Sequence, residues 1–206
     1  MKSFTRVTGT LAPMLAPNID TDVIMPKQFL KGIDRQGLDR GLFFDLRFLA
    51  NGQPNPDFIL NQKPWQQATF LLVGANFGCG SSREHAVWGL QQIGIRALIG
   101  SSFAGIFNDN CQRNGVLTIN LTEDELAYLS HVAKSTTDNQ ITIDLVKQQI
   151  ITATEQIAFE VDEIKKYALV NGLDAIGFTL QYQAQIKAFE QQYYQHNPWL
   201  DVNKLA

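Results

Sequence analysis

Cysteine is scarce in this sequence, and its scarcity excludes several classes of protein. Only Cys79 and Cys111 occur among 206 residues, and they are not spaced as a C-x-x-C pair. Two cysteines are too few for the disulfide framework of a small secreted scaffold. They also fall short of the ligand set of a structural zinc site or an iron–sulfur cluster, so any such cluster must come from outside this chain.

Long apolar runs and an excess of positive charge are also missing. No stretch approaches the roughly 18 consecutive apolar residues of a membrane-spanning helix, and Pro13 and Pro17 interrupt the early apolar stretch, which argues against a signal peptide. The 17 basic and 20 acidic residues give a formal charge of −3, so the positive field that attracts nucleic acid is lacking. We therefore expect a cytoplasmic protein without a nucleic-acid or membrane partner.

The sequence does contain enough apolar material for one hydrophobic core, since 45% of its residues are hydrophobic and 18% are charged. We expect a single domain over residues 1–206. Residues 26–64 are rich in glycine and proline, and we expect them to be the least core-like part and to be mobile. Apolar residues at helical spacing predict a C-terminal helix within residues 180–199.

The middle of the chain alternates strand-like and helix-like patterns. These patterns predict a strand at 69–74, a helix at 84–93, a strand at 96–100, a helix at 103–113 and a strand at 116–121. A β-α-β-α-β order favours parallel strands joined by right-handed crossovers. We therefore predict an α/β fold built around a central parallel unit.

The segments around this unit have their own signals. Thr122 and Glu125 have the spacing of a capping box, which predicts a helix to about residue 134. Alternating patterns predict a strand at 4–15, a hairpin over 141–153 and a further strand at 157–161. Gly172 is predicted to end a helix over 162–171.

The densest polar cluster is Asn76-Phe-Gly-Cys-Gly-Ser-Ser-Arg-Glu-His85, between the first predicted strand of the unit and its helix. Gly78 and Gly80 allow sharp turns, and Ser81 or Ser82 is suited to start the helix, whose first N–H groups attract anions. The planar guanidinium of Arg83 suits a carboxylate or a phosphate. This loop is therefore the candidate ligand site.

Purely structural roles also explain several of these residues. Ser81 and Glu84 have S-x-x-E spacing, so they are equally suited to form a capping box. Cys79 is better explained as a small packing residue than as a reactive thiolate, and Cys111 lies on an apolar helix stripe. The loop matches neither a P-loop nor a dinucleotide fingerprint.

The early segment Asn18-Ile-Asp-Thr-Asp22 contains a pair of carboxylates, Asp20 and Asp22. Such a pair suits acid–base or metal chemistry, but aspartates in turns usually bond to their own backbone. The segment Gln28-Phe-Leu-Lys31 is either a solvated loop or a lid that offers a cation and apolar groups.

Taken together, several motifs identify a family. Asn18-Ile-Asp-Thr-Asp22, the Gly80-Ser-Ser-Arg-Glu-His-Ala86 block and the late Asn171-Gly-Leu-Asp174 block resemble the small subunits of bacterial 3-isopropylmalate dehydratase, which are aconitase-type swivel domains. The resemblance extends over essentially all 206 residues. It implies a swivelling β/β/α domain and a hydro-lyase that isomerises 2-isopropylmalate and 3-isopropylmalate through 2-isopropylmaleate in leucine biosynthesis.

The resemblance also implies a division of labour between two chains. A large partner subunit would bind a [4Fe–4S] cluster that acts as Lewis acid at the departing hydroxyl, and this chain would have no metal or cofactor of its own. The two chains would form a heterodimer, and this chain would be active only in that complex.

By the same resemblance, Ser81 would be the catalytic base and Ser82 and Arg83 would bind a substrate carboxylate. Asp22 would give supporting hydrogen bonds, and Lys31 would occupy the place of a substrate-binding arginine in related aconitases. Gly78 and Gly80 would support the loop. Phe29, Leu30 or Ile33 would meet the alkyl group of the substrate.

Two other functions fit the same residues. One is a small subunit that acts on a different 2-hydroxy diacid, such as homocitrate or a methylmalate. The other is a module that binds a small carboxylate without catalysis.

Overall fold

A computed structural model describes residues 1–30, 35–81 and 83–200 of the chain. Its centre is a sheet in which the strand order is β4-β3-β2-β1-β5-β6-β7. The strands are β1 (Arg6–Met14), β2 (Phe70–Val73), β3 (Ala97–Gly100), β4 (Leu117–Asn120), β5 (Gln140–Asp144), β6 (Gln149–Ile151) and β7 (Gln156–Ala158).

Helices lie against this sheet or extend from it. They are α1 (Thr21–Ile24), α2 (Phe44–Arg47), α3 (Glu84–Gln92), α4 (Gly105–Asn114), α5 (Glu123–Lys134), α6 (Glu163–Asn171), α7 (Ala175–Leu180) and α8 (Gln183–His196). Short 3₁₀ turns occupy Lys27–Phe29, Leu38–Arg40, Ile59–Asn61 and Pro198–Leu200. In the described ranges, no helix is both long and apolar enough to cross a membrane.

The predicted β-α-β-α-β unit is confirmed. Strands β2, β3 and β4 are parallel neighbours, with Phe70 opposite Ala97 and Ala97 opposite Leu117, and α3 and α4 are the two crossovers. Every residue of β2 and β3 is buried, as expected for parallel strands covered on both faces. Their carboxyl ends therefore open onto the loops before α3 and α4, which is where α/β sheets bind ligands.

Strand β1 joins a parallel half of the sheet to an antiparallel half. Its second part, Leu11 to Met14, pairs in parallel with β2, and its first part, Arg6 to Thr10, pairs in antiparallel with β5. Strands β5, β6 and β7 form an antiparallel meander. This confirms the predicted hairpin and the strand predicted after it.

The two faces of the sheet contact separate hydrophobic clusters. In β2, Leu71 and Val73 face a cluster shared with α3 and α4, whereas Phe70 and Leu72 face a cluster shared with α5. This alternation follows from the two-residue period of a strand. Strands β2 and β3 are thus covered on both faces, and a ligand would reach them at their carboxyl ends.

Residues 26–64 contribute to the core although they are rich in glycine and proline. Leu38, Leu42, Phe43 and Phe58 are all buried, and they pack into the cluster on the α3 side. The sequence did not reveal these core positions, because apolar residues in irregular backbone show no periodicity. Within this segment, the Leu38–Arg40 turn ends before α2 begins at Phe44.

Several helix ends follow their sequence signals. Thr122 and Glu125 form the predicted capping box of α5, and Gly115 and Gly172 adopt the left-handed conformation after α4 and α6. The predicted C-terminal helix begins at Gln183, after the short α7.

Candidate functional site

The candidate site is the loop of residues 76–83, called here the serine loop, which connects β2 to α3. Gly78 and Gly80 have φ angles of +77° and +88°, a region that side chains rarely adopt. A Cβ atom on Gly78 would lie 2.1 Å from the ring of Phe107. Phe107 also packs edge-on against Phe77, with ring centroids 5.6 Å apart. The glycines thus let the loop lie directly on α4.

The loop between β3 and α4 supports the serine loop from one side. Its Ser102 hydroxyl accepts a hydrogen bond of 2.9 Å from the Asn76 N–H, and the Ala104 N–H donates to the Phe77 carbonyl at 3.1 Å. The N-cap of α4 is Ala104. A second Gly-Ser-Ser triplet, Gly100-Ser-Ser102, precedes α4 but does not cap it; its Ser102 instead supports the serine loop.

The turn that ends in α1 supports the serine loop from the other side. The Gly78 N–H donates to the Ile19 carbonyl at 2.8 Å, and the Thr21 N–H donates to the Cys79 carbonyl at 2.9 Å. The Thr21 hydroxyl also donates to the Ser81 carbonyl, at 2.7 Å. Three hydrogen bonds thus join segments that lie about sixty positions apart in sequence.

The two aspartates of this turn have different partners. The Asp20 carboxylate accepts from the Val23 N–H at 2.8 Å, as the turn interpretation predicted, and so caps α1. The Asp22 carboxylate pairs with the Arg83 guanidinium. The Arg83 side chain is 18% exposed and the Asp22 side chain 46%. The two carboxylates of this turn therefore do not act as a pair.

The capping-box interpretation of Ser81 and Glu84 is contradicted. Helix α3 begins at Glu84, and its N-cap is Arg83, which forms no side-chain cap. The Glu84 carboxylate instead accepts a hydrogen bond of 2.7 Å from the Asn114 amide. Ser81 is exposed, two positions before the cap residue. Capping therefore does not account for this serine.

Two of the predicted site residues, Ser82 and Lys31, lie outside the described residues, as does Ile33. The structure brings Ser81, Arg83 and Asp22 together with Gly78 and Gly80 at one edge of the sheet. Of the other residues expected near the alkyl group, Phe29 packs against Phe44, with ring centroids 5.0 Å apart, and Leu30 packs on the core.

Sequence reasoning missed two residues that shape the site. Thr21 is buried and binds the serine loop through its backbone and its hydroxyl. Asn114 is buried between α3 and α4, where its amide group also accepts from the Trp88 indole N–H at 2.9 Å. For Thr21, the signal in the sequence is its position between the two aspartates. Asn114 gives no such signal, because an asparagine before a glycine is also typical of a helix end.

The cysteines do not form a metal site. Cys111 is buried in the apolar cluster on the α3 side, and this burial raises the pKa of its thiol well above the ordinary value. Cys79 is partly buried in the serine loop. Throughout the described ranges, no group of three or more His, Cys, Asp or Glu side chains is arranged to bind a metal ion. An iron–sulfur cluster therefore does not fit this part of the chain.

Two family models match the chain. Residues 1–124 match the aconitase C-terminal domain, and residues 176–202 match the C-terminal domain of the 3-isopropylmalate dehydratase small subunit. The second match covers α7 and α8. These helices therefore belong to a segment distinct from the aconitase-like part.

Similar proteins match over nearly their whole length. The chain is 64% identical over 200 residues to 3-isopropylmalate dehydratase small subunit 2 of Salmonella typhimurium, covering 97% of this chain and 96% of that protein. It is 62% identical over 202 residues to small subunit 1 of Mannheimia succiniciproducens, covering 98% and 100%. A crystal structure of 3-isopropylmalate dehydratase from Methanocaldococcus jannaschii aligns with a TM-score of 0.65 at 25% identity, covering 90% of this chain and 99% of that one.

Proposed function

Because the chain belongs to the family of 3-isopropylmalate dehydratase small subunits, we propose that its serine loop supplies the proton-transfer half of a hydro-lyase site. Ser81 takes the proton from the carbon next to one substrate carboxylate. The hydroxyl on the neighbouring carbon departs, and the double bond of 2-isopropylmaleate forms. Return of water with the two positions exchanged converts 2-isopropylmalate into 3-isopropylmalate.

The observation that supports this role is the position of Ser81. It is exposed beyond the end of β2, it lies before the N-cap of α3, and its carbonyl accepts from both the Thr21 hydroxyl and the Arg83 N–H. A serine hydroxyl is a weak base, so its alkoxide needs positive charge and N–H groups nearby. Arg83 and the first turn of α3 are the groups in this loop that provide them.

Arg83 is proposed to bind a substrate carboxylate, with Ser82 as a second contact. One nitrogen of its guanidinium pairs with Asp22, and a guanidinium has five N–H donors in a fixed plane. Asp22 thus sets the direction of the plane, and the remaining donors are directed to substrate. Holding a dicarboxylate in one orientation places the reacting C–H beside Ser81, and this is a large share of a typical rate enhancement. Lys31 is proposed as a further contact.

The [4Fe–4S] cluster is proposed to belong to a large partner subunit, because the described part of this chain has no ligand set for it. The proposed complex is a heterodimer, active only when assembled and located in the cytoplasm. Exposed apolar side chains on the C-terminal helices support a partner: Ile176 is 71% exposed and Phe189 is 65% exposed. A partner that binds this surface would remove these apolar side chains from water.

The decisive variant is Ser81→Ala, assayed in the complex with a cluster-loaded large subunit under anaerobic conditions. We expect turnover of 2-isopropylmalate to fall by about 10²-fold to 10⁴-fold, which is the size of effect that loss of a proton-transfer group produces, while assembly is retained. Ser3→Ala, which removes another exposed serine hydroxyl away from the serine loop, is the control and should leave turnover unchanged. Normal turnover of Ser81→Ala would refute the role of this serine, and full activity of the isolated chain would refute the two-subunit site.

The substrate within the class is tested separately. Turnover should be highest with the isopropyl compound among malates with different alkyl groups and homocitrate. A clear preference for homocitrate or a methylmalate would assign the chain to a related hydro-lyase.

A further inference from the structure

We propose that Thr21 is a positioning residue for Ser81, and that its hydroxyl, rather than its bulk, sets the rate of proton transfer. The proposal rests on the proposed role of Ser81 as the base. It extends that role to a residue that does not touch the substrate.

Thr21 contacts the serine loop on both sides of Gly80. Its N–H donates to the Cys79 carbonyl at 2.9 Å, and its hydroxyl donates to the Ser81 carbonyl at 2.7 Å. Gly80 itself has a φ of +88°, and a Cβ built there would lie 3.6 Å from the Thr21 hydroxyl oxygen. Glycine has wide backbone freedom, so the side-chain sterics of this residue do not hold the loop in place. The two hydrogen bonds from Thr21 therefore fix the peptide planes on either side of it.

The Ser81 carbonyl has two hydrogen-bond donors. The second is the Arg83 N–H, at 2.8 Å, which lies within the serine loop and moves with it. The Thr21 hydroxyl is the donor that belongs to a separate element. Among the described residues, the bond from the Thr21 hydroxyl is therefore the one that joins the Ser81 carbonyl directly to a separate element.

Thr21 is itself firmly placed. It is 1% exposed, and it is the first residue of α1, whose N-terminus the Asp20 carboxylate caps through the Val23 N–H at 2.8 Å. Asp22, the next residue, pairs with Arg83. Consecutive residues thus serve different tasks: Thr21 fixes the backbone of the base, and Asp22 orients the carboxylate-binding guanidinium.

Because Thr21 and Asp22 have different tasks, we expect loss of the Thr21 hydroxyl to affect kcat more than KM. Loss of the Thr21 hydroxyl lets Ser81 move relative to the bound substrate, while the Asp22–Arg83 pair stays intact. A displacement of about 1 Å in a reacting group can lower a rate about 10²-fold. We expect kcat to fall between about 10-fold and 100-fold, with KM for 2-isopropylmalate changed less than about threefold.

Three substitutions separate the hydroxyl from the methyl group of Thr21. Thr21→Ser keeps the hydroxyl, Thr21→Val keeps the shape without it, and Thr21→Ala lacks both. In the reconstituted two-subunit enzyme, Thr21→Ser should retain kcat near that of the parent, and Thr21→Val and Thr21→Ala should both lose it. Thr118→Val is the matched control, because it removes the hydrogen bond of another threonine hydroxyl, 2.5 Å from the Asn108 amide oxygen. This control should leave kcat unchanged.

A dependence of kcat on side-chain volume would contradict the proposal. If kcat follows volume, so that Thr21→Val is active while Thr21→Ser and Thr21→Ala are not, Thr21 is a packing residue and the inference is wrong. If Thr21→Val fails to fold, the comparison of Thr21→Ser with Thr21→Ala, which differ only by the hydroxyl, still decides the question.

A direct measurement needs neither partner nor substrate. Amide hydrogen exchange at Gly78, whose N–H donates to the Ile19 carbonyl across the same contact, should be about tenfold faster in the isolated Thr21→Ala chain than in Thr21→Ser, because the serine loop separates more often from the turn before α1. Equal exchange in the two variants would overturn the inference. Failure of the base assignment is seen independently, as normal turnover of Ser81→Ala, and would leave the exchange result unaffected.

Discussion

The Nη1 atom of Arg83 contacts the Oδ1 atom of Asp22 across 61 positions of sequence, and this ion pair joins the start of α3 to α1. Asp22 is nearly half exposed, and pairs with that exposure add little to stability. We therefore expect the pair to orient the Arg83 guanidinium and to contribute little to the free energy of unfolding.

Asp22→Ala should raise KM for 2-isopropylmalate about tenfold, because Arg83 loses the group that orients its plane. We expect kcat to change less than about threefold and the free energy of unfolding to change by less than about 1 kcal/mol. Steady-state kinetics and thermal unfolding measure both. Glu163→Ala removes the Lys166–Glu163 pair as a matched control, and a KM increase in that variant equal to that of Asp22→Ala would contradict the prediction.

Gly78→Ala should destabilise the chain by about 3 kcal/mol or more. The new Cβ meets the Phe107 ring, which adds overpacking to the cost of a left-handed backbone. Gly94 is the matched control, because its φ is +98° and a Cβ there meets nothing within 4 Å. Gly94→Ala should cost only about 1–2 kcal/mol. Equal losses in urea unfolding would mean that contact with Phe107 is unimportant.

Stability should fall at alkaline pH because of Cys111. Burial raises the pKa of its thiol in the folded chain, whereas an unfolded thiol has a pKa of about 8.5. The folded state therefore keeps a proton that the unfolded state releases, and the stabilisation is lost as pH rises above the unfolded value. The contribution of Cys111 should fall by up to about 1.4 kcal/mol per pH unit there.

Urea unfolding at several pH values above 8.5 should therefore show a shallower pH dependence for Cys111→Ala than for the parent chain. Val116→Ala, which removes buried volume from the same apolar cluster without removing a titratable group, is the control and should keep the slope of the parent. Parallel curves for the parent and Cys111→Ala would show that this thiol does not contribute.

If Phe189 lies at the proposed interface, Phe189→Ser should weaken binding of the proposed large subunit by about tenfold or more, since an exposed aromatic residue at an interface often dominates its affinity. Phe189 stacks on Tyr193 along α8, with ring centroids 5.8 Å apart. Gln191→Ser, on the same helix, is the matched control. Titration calorimetry measures both affinities, and equal affinities would place the partner elsewhere.

The parallel unit and the helix ends were predictable because their signals are local. Continuous apolar strands, the Thr122–Glu125 spacing and Gly115 and Gly172 each specify structure within a few residues. The core residues between 26 and 64 were not predictable, because irregular backbone buries Leu42 and Phe43 without any period.

The serine loop was located from its composition, but its contacts were not. The Ser81–Glu84 spacing suggested a cap, yet Glu84 accepts from Asn114, 30 positions away. The roles of Thr21 and Asp22 likewise depend on partners about sixty positions distant. Such long-range pairs leave no trace in spacing along one sequence, and only the fold reveals them.

The double pairing of β1 has a consequence for synthesis. Its second part pairs with β2, which ends at Val73, whereas its first part pairs with β5, which ends at Asp144 and is therefore synthesised later. A chain emerging from the ribosome therefore brings Asp22 and Arg83 within reach of each other well before the sheet is complete. During that interval the edge of β1 that later pairs with β5 is uncovered, and an uncovered strand edge is prone to aggregation. Slow translation between residues 83 and 144 would lengthen this exposure.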